Sequence, residues 1–220
     1  MPDAARPTTA DARADAPAAT VGLLLAAGAG TRMGRPKALV VDEHGPWLTR
    51  AVGTLLDGGC DRVVVVLGAG ATEARALLAA DPRLLGVDGR ARVSVVVADD
   101  WAEGLAASLR AGLQALSATD PEEARLALVT LVDYPGLPSS AVARLLSPPA
   151  VGVPLGPGAL RRSVFGGRPG HPVVVGRSHW SDLAASLTGD RGAGPYLRAH
   201  AAEPVDCSDL WDGRDVDAPA

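Results

Sequence analysis

The sequence predicts an α/β fold: a three-layer, doubly wound, mostly parallel sheet with helices on both faces. Three observations carry that expectation. Four β-rich runs are continuously apolar, helical stretches separate them, and the first run enters a glycine-rich loop. Continuous apolar runs belong to strands buried on both faces. Strands alternating with helices give right-handed crossovers in a parallel sheet.

The strands are read as "VGLLLA" from Val21, "RVVVVLG" from Arg62, "RVSVVVA" from Arg92 and "LALVTLV" from Leu126. Helices are expected over residues 47–56, 72–80 and 104–116. In the last of these, Leu105, Leu109, Leu113 and Leu116 recur at helical spacing and form one face. After Pro138 the chain becomes rich in Pro and Gly and reads as loops and short strands, some antiparallel, flanking the sheet. Two more helices are expected over 180–187 and 194–201. Residues 1–20 mix Ala, Pro, Asp and Arg without an apolar core, so they read as a disordered tail rather than a secretory signal. Residues 21–220 read as one domain.

Composition narrows the function classes. Apolar residues make up 47% of the 220 and charged residues 21%, the balance of a globular protein. A formal charge of -4 with scattered basic residues gives no reason to expect a nucleic-acid partner. No apolar run approaches the ~20 residues a membrane helix needs. Cys60 and Cys207 lie far apart and read as cytosolic thiols, so the expected location is cytoplasmic. His44, His179 and His200 lack metal spacing, so no zinc is expected. The four tryptophans read as packing residues, with Trp101 close to a loop that would meet a ligand.

Ligands of open α/β sheets bind beyond the carboxyl ends of the strands. Three stretches there carry unusual chemistry: residues 26–37, 99–110 and 133–136. In "LLLAAGAGTRMGRPKALV" the glycines Gly28, Gly30 and Gly34 are spaced too widely for the dinucleotide fingerprint, and Lys37 follows Pro36 rather than the glycine of a Walker loop. What remains is a glycine loop whose N–H groups reach a polyphosphate, with Arg32 and Lys37 to neutralise it. A triphosphate losing pyrophosphate gains charge on the leaving group and needs such cations. Asp133 ends an apolar run, where a buried carboxylate requires compensation. A turn before Tyr134-Pro135 would also suit an aspartate.

These motifs resemble those of the MobA-like nucleotidyltransferases, and most closely their molybdenum cofactor cytidylyltransferase branch. The opening signature L-A-A-G-x-G-x-R-M-G-x-x-K runs from Leu25 to Lys37. "GLAASLRAGL" from Gly104, "LVDYPGL", "GRPGHPVVV", "LTGDRGAGPYL" and the closing "DVDAPA" follow in the family's order. The resemblance implies a Rossmann-like nucleotidyltransferase fold and a Mg²⁺ ion held by Asp133 and Asp217, with Asp215 the neighbouring alternative. It implies nucleotide contacts from Leu25, Ala26, Ala27, Gly28, Gly30, Arg32, Lys37, Gly104 and Ser108, with Lys37 and Arg32 acting in catalysis. It places the acceptor near Gly170, His171 and Asp190. Two departures stand out: Ala218 replaces a threonine, and Arg161 and Arg162 have no counterpart in the family pattern.

The implied reaction moves a nucleoside monophosphate, CMP from CTP, onto the phosphate of molybdopterin and releases pyrophosphate. A transient handover to a molybdoenzyme or its chaperone is the implied partner contact. GTP as donor, another phosphorylated small molecule as acceptor, and a non-catalytic nucleotide-binding protein remain open at this point. On the choice of base, the guanylyl-transferring branch reads L-A-G-G where this chain has Leu25-Ala26-Ala27-Gly28. The Ala27 methyl takes space beside the base and favours a pyrimidine.

Overall fold

The structure, a computed structural model, describes residues 19–84, 91–148 and 155–217. Residues 1–18 of the expected tail lie outside the described residues, and Thr20, placed in that tail from sequence, is the first residue of a strand. The four apolar runs form β1 (Thr20–Ala26), β4 (Arg62–Leu67), β5 (Val93–Val97) and β6 (Leu126–Leu131). Between β1 and β4 a two-stranded ribbon, β2 (Val41–Asp42) and β3 (Gly45–Pro46), leads into helix α1 (Trp47–Asp57). The others are α2 (Ala71–Ala80), α3 (Leu105–Ser117), α4 (Ser139–Leu146), α5 (Trp180–Ser186) and α6 (Gly194–Ala199). The sheet is completed by β7 (Leu160–Phe165), β8 (Arg168–Gly176) and β9 (Glu203–Asp206).

The seven strands run in the order β5-β4-β1-β6-β8-β7-β9. β1 is parallel to β4 on one side and to β6 on the other, and β4 is parallel to β5. β8 is antiparallel to both β6 and β7, and β9 is parallel to β7. The connection therefore reverses direction across the sheet at β1, and a crevice opens at its carboxyl end.

Side chains of β1 alternate between two cores. Leu24 and Ala26 pack with Leu48, Val52 and Leu55 of α1 and with Ala141, Val142 and Leu145 of α4. Val21, Leu23 and Leu25 pack with Leu109 and Leu113 of α3 and with Trp180 and Leu183 of α5. Two cores on opposite faces make the three layers. The α3 face read from sequence is the buried one: Leu109, Leu113 and Leu116 are enclosed, while Leu105 is partly covered. At Gly112 an added Cβ would lie 2.6 Å from Leu23 Cδ1, so the α3 backbone sits directly on β1.

Two elements differ from the sequence reading. The stretch after Pro138 begins with α4, held by burial of Ala141, Val142 and Leu145. The strands that follow extend the main sheet rather than merely flank it, and β8 is an interior strand of nine residues. Arg161 ties these additions together. It is buried on β7 and donates to the carbonyls of Leu145 and Ser147, both at 2.6 Å, and to both carboxylate oxygens of Glu203 on β9. Cys60 and Cys207 are buried free thiols. Among the described residues no helix is long and apolar enough to cross a membrane.

The α3 face sets a graded expectation for stability. Leu109→Ala should cost roughly 2–5 kcal/mol in urea unfolding because it opens a cavity between α3 and the sheet, and Leu105→Ala should cost clearly less. Equal costs would mean that α3 does not pack through the face described.

Candidate nucleotide and metal site

The chain leaves β1 at Ala26 and has to reverse within a few residues. Gly30 and Gly34 do this with left-handed backbones, at φ 60° and 70°. A Cβ on Gly30 would lie 2.0 Å from the Arg35 carbonyl oxygen, so no other residue fits that turn. Pro36 then sets up a single 3₁₀ turn, Lys37–Leu39, which directs Lys37 back toward the end of β6. There its Nζ donates to Asp133 Oδ2 at 2.9 Å and to Asp217 Oδ1 at 2.7 Å. Arg32 donates to the other oxygen of Asp217 at 2.8 Å from an exposed position.

Asp217 reaches this point because the C-terminal segment is pinned across the sheet end. The Val216 N–H donates to the Asp133 carbonyl at 2.9 Å, and upstream Trp211 packs edge-on to Tyr134 and Phe165. One ligand oxygen from each of Asp133, Asp215 and Asp217 lies within 4.8 Å of the other two. Sequence reasoning treated Asp215 as an alternative to Asp217; the fold brings both to Asp133. The signal was present in "DVD", since residues two apart in an extended segment face the same way.

Burial pushes the Asp133 carboxyl above its usual range, and the Lys37 hydrogen bond and charge oppose that shift. Asp217 is held below the usual range by its hydrogen bond to Lys37 and by that cation's charge. Burial alone would weaken the Lys37 proton, but its bonds to Asp217 and Asp133 outweigh it and raise the pKa. Lys37 is therefore a cation, with both carboxylates as partners. Asp133 Oδ1 is buried and has no hydrogen-bond partner.

A cleft of about 480 Å³ opens beside this cluster. The loop from Leu25 to Thr31 lines one wall, Trp101, Gly104 and Ser108 the other, and Lys37, Asp133 and Asp190 the mouth. Gly104 has φ 115°, and a Cβ there would lie 2.3 Å from Asp190 Oδ1 and 2.8 Å from the Gly189 carbonyl. The Ala106 N–H donates to that carbonyl at 3.0 Å. This close approach puts Asp190 beside Gly104 in the cleft lining, which does not include Gly170 or His171. Those two lie beyond Asp133. His171 packs against the Tyr134 ring at 5.6 Å, with Nδ1 3.3 Å from the Val129 carbonyl, and Gly170 sits under Phe165. Arg110 donates to the Leu187 carbonyl at 2.8 Å, a structural tie between α3 and the loop after α5. Thr31 and Trp101 also line the cleft; from sequence Trp101 was read as a packing residue close to the loop, and Thr31 was not singled out.

A glycine loop at the switch point of a parallel sheet, facing a lysine and clustered carboxylates, defines the Rossmann-like nucleotidyltransferase class. The chain belongs to the MobA-like NTP transferase family, whose domain matches residues 22–205. Nucleotidyltransferases of this family use divalent metals and pair a nucleoside triphosphate with a phosphorylated acceptor. A relative 36% identical over 213 residues is nicotine blue oxidoreductase of Paenarthrobacter nicotinovorans, with 92% of this chain and 94% of that protein aligned. Among solved structures, Rv0371c of Mycobacterium tuberculosis H37Rv is 26% identical with a TM-score of 0.65, covering 90% of this chain and 93% of its own. Its manganese complex superposes with a TM-score of 0.59 at 24% identity, over 85% and 86% of the two chains.

Two outcomes follow from these contacts. In metal-free buffer, Lys37→Met should cost about 3 kcal/mol, because it strands a mostly buried carboxylate, and adding Asp133→Asn should restore most of it. A double variant no better than the single one would show that the pair is not what Lys37 stabilises. The second outcome concerns His171, whose pKa burial lowers from 6.5 to about 4. A depressed histidine favours the fold fully above its unfolded value and loses that contribution as pH falls from 6.5 toward 4. Over that window the contribution of the His171 imidazole should fall by about 3 kcal/mol. His171→Asn, which keeps a donor for Val129, should lose less over the same range, as read from urea midpoints at each pH.

Proposed function

We propose that this protein transfers CMP from CTP to the phosphate of a molybdopterin-type acceptor and releases pyrophosphate. The observation that carries the reading is the second oxygen of Asp133. It is buried, lacks a partner, and belongs to a group of three carboxylates at the mouth of a glycine-loop cleft. Carboxylate oxygens are hard ligands suited to Mg²⁺ or Mn²⁺, and octahedral Mg²⁺ spaces its ligand oxygens from roughly 3 to 4 Å apart. The Asp133, Asp215 and Asp217 set needs only slight closure to fit. When bound, the ion supplies charge neutralisation for the phosphates.

The chain's own residues account for the remaining chemistry. The loop through Gly28 and Gly30 offers backbone N–H groups to the triphosphate. Lys37 and Arg32 offset charge on the departing pyrophosphate. A phosphomonoester is already ionised at pH 7, so alignment against the α-phosphorus replaces a general base. Ala27 is buried on the cleft wall, and its carbonyl accepts the Ala69 N–H at 2.9 Å. Its methyl is thus fixed in place, which supports a pyrimidine over a purine. The product would then pass to a molybdoenzyme or its chaperone.

A second reading, oxidation or reduction of a compound like nicotine blue, is favoured by one observation: the 36% identity to the oxidoreductase of that name. Hydride transfer has no need of a lysine shared between two carboxylates, so we place it second. One assay separates the two: pyrophosphate release from CTP or GTP with molybdopterin, run beside nicotine blue consumption with NADH or NADPH.

Mg²⁺-dependent pyrophosphate release is expected, with most turnover lost in Asp133→Asn while circular dichroism stays native. The ratio of kcat/KM for CTP over GTP should lie between about ten and two hundred, the worth of one methyl-sized contact. Ala27→Gly should narrow it. Equal use of the two nucleotides would end the cytidylyl assignment, and nicotine blue turnover without pyrophosphate release would favour the second reading.

A further inference from the structure

Arg161 and Arg162 are neighbours on β7, and strand alternation sends them to opposite faces of the sheet. Arg161 is fully paired, as described above. Arg162 lies opposite Val173 of β8, which packs in the core shared with Leu25 and Ala106 on the cleft side. Its Nε is buried without a hydrogen-bond partner, and no ion pair involves it among the described residues.

Helix α6 brings a second guanidinium to the same place. The point a Cβ on Gly194 would occupy lies 3.6 Å from Arg162 Nη2 and 3.8 Å from Arg198 Nη1. Arg198 also has no carboxylate partner among the described residues. Burial, and then the Arg198 charge, weaken the hold of Arg162 on its proton. A partly buried cation is normally paired, and a guanidinium fork matches the oxygens of a phosphate or carboxylate. Two such forks near one residue without a side chain bring two cations, neither with a carboxylate partner among the described residues, to one place.

The place of this pair relative to the reacting groups follows from the sheet. β7 stands two strands beyond β6, roughly 10 Å at normal strand spacing, and through Val173 Arg162 is level with Val129, four residues before Asp133 in the chain that leaves β6. His171 lies two residues before Val173, the β8 partner of Arg162, packs on Tyr134, and is acted on by the Arg162 charge. Just before α6 the chain passes through Asp190 at the cleft rim. We propose that Arg162 and Arg198 form an anion subsite for a second oxyanionic group of the acceptor, so that the acceptor is anionic at two points. The acceptor assignment rests on the transferase reading; the anion site does not.

Arginine-selective labelling of the full chain with phenylglyoxal, mapped by mass spectrometry, tests both separately. Inorganic phosphate and acetate are the two oxyanion probes, with sodium chloride at matched ionic strength as reference and exposed Arg75 as internal control. About 10 mM of the fitting oxyanion should slow labelling of Arg198 about fivefold, the protection expected when a site is mostly occupied. The effect should vanish in Arg162→Gln, whose fold is checked by circular dichroism. Protection by phosphate alone identifies a phosphate subsite, and protection by acetate as well identifies a general oxyanion site. Unchanged Arg198 labelling with both probes would overturn the subsite. Arg32, protected by Mg²⁺ and CTP, reports the nucleotide site in the same experiment, so its failure would count against the transferase reading alone.

Discussion

The mouth of the cleft is organised by one requirement, that the carboxylate of Asp133 be neutralised at the end of a buried strand. β6 is covered on both faces, so its last turn leaves the carboxylate largely out of water, and Lys37 supplies the counter-charge at 2.9 Å. To deliver that lysine the chain must fold back from β1, which is the work of the left-handed glycines Gly30 and Gly34. Lys37 in turn holds Asp217, and the C-terminal segment that carries Asp217 is clipped to the Asp133 backbone through Val216. Loop, strand end and tail therefore meet at one ammonium. The desolvation cost of Asp133 is incurred on folding, so a ligand entering the cleft meets groups already oriented.

The sheet explains why distant segments converge here. β1 has parallel neighbours on both sides, so the chain that leaves its carboxyl end lies between those that leave β4 and β6. β8 runs the other way, and its first residues, including His171, arrive at the same edge. The rim is completed by close backbone approach rather than by side chains. Gly104 has room for Gly189 and Asp190 only because it lacks a Cβ.

Much of this was legible in the sequence, and the limits have physical causes. The four parallel strands showed as unbroken apolar runs, and the loop showed because glycine, proline and two cations seldom combine without a ligand. Helix α4 did not show. It has eight residues, only three of them fully buried, and its apolar face is too short to establish a period. β8 was hidden by Pro169 and Pro172, which argue against a central strand. Both prolines precede the segment Val173–Gly176 that pairs with β6, so neither removes a bond from that ladder. For Arg161 and Arg162 the alternation of faces could be read from a strand, but which face held a partner depended on where α4, β9 and α6 came to rest.

The charge at the mouth bears on how a triphosphate would enter. The chain carries a net -4, and at the mouth the two cations Lys37 and Arg32 face the three carboxylates Asp133, Asp215 and Asp217. One negative charge is left over. A free triphosphate would approach a site of its own sign, whereas a triphosphate carrying a divalent cation brings the charge that the carboxylates lack. Asp133, Asp215 and Asp217 would hold such a cation, whose charge would compensate Asp133 and leave Lys37 available to a phosphate oxygen. Under the proposed reaction, then, the pairing of Lys37 with Asp133 and Asp217 is the resting arrangement of the same groups that would hold the nucleotide. The carboxylates would select for the metal complex before any contact with the base is made.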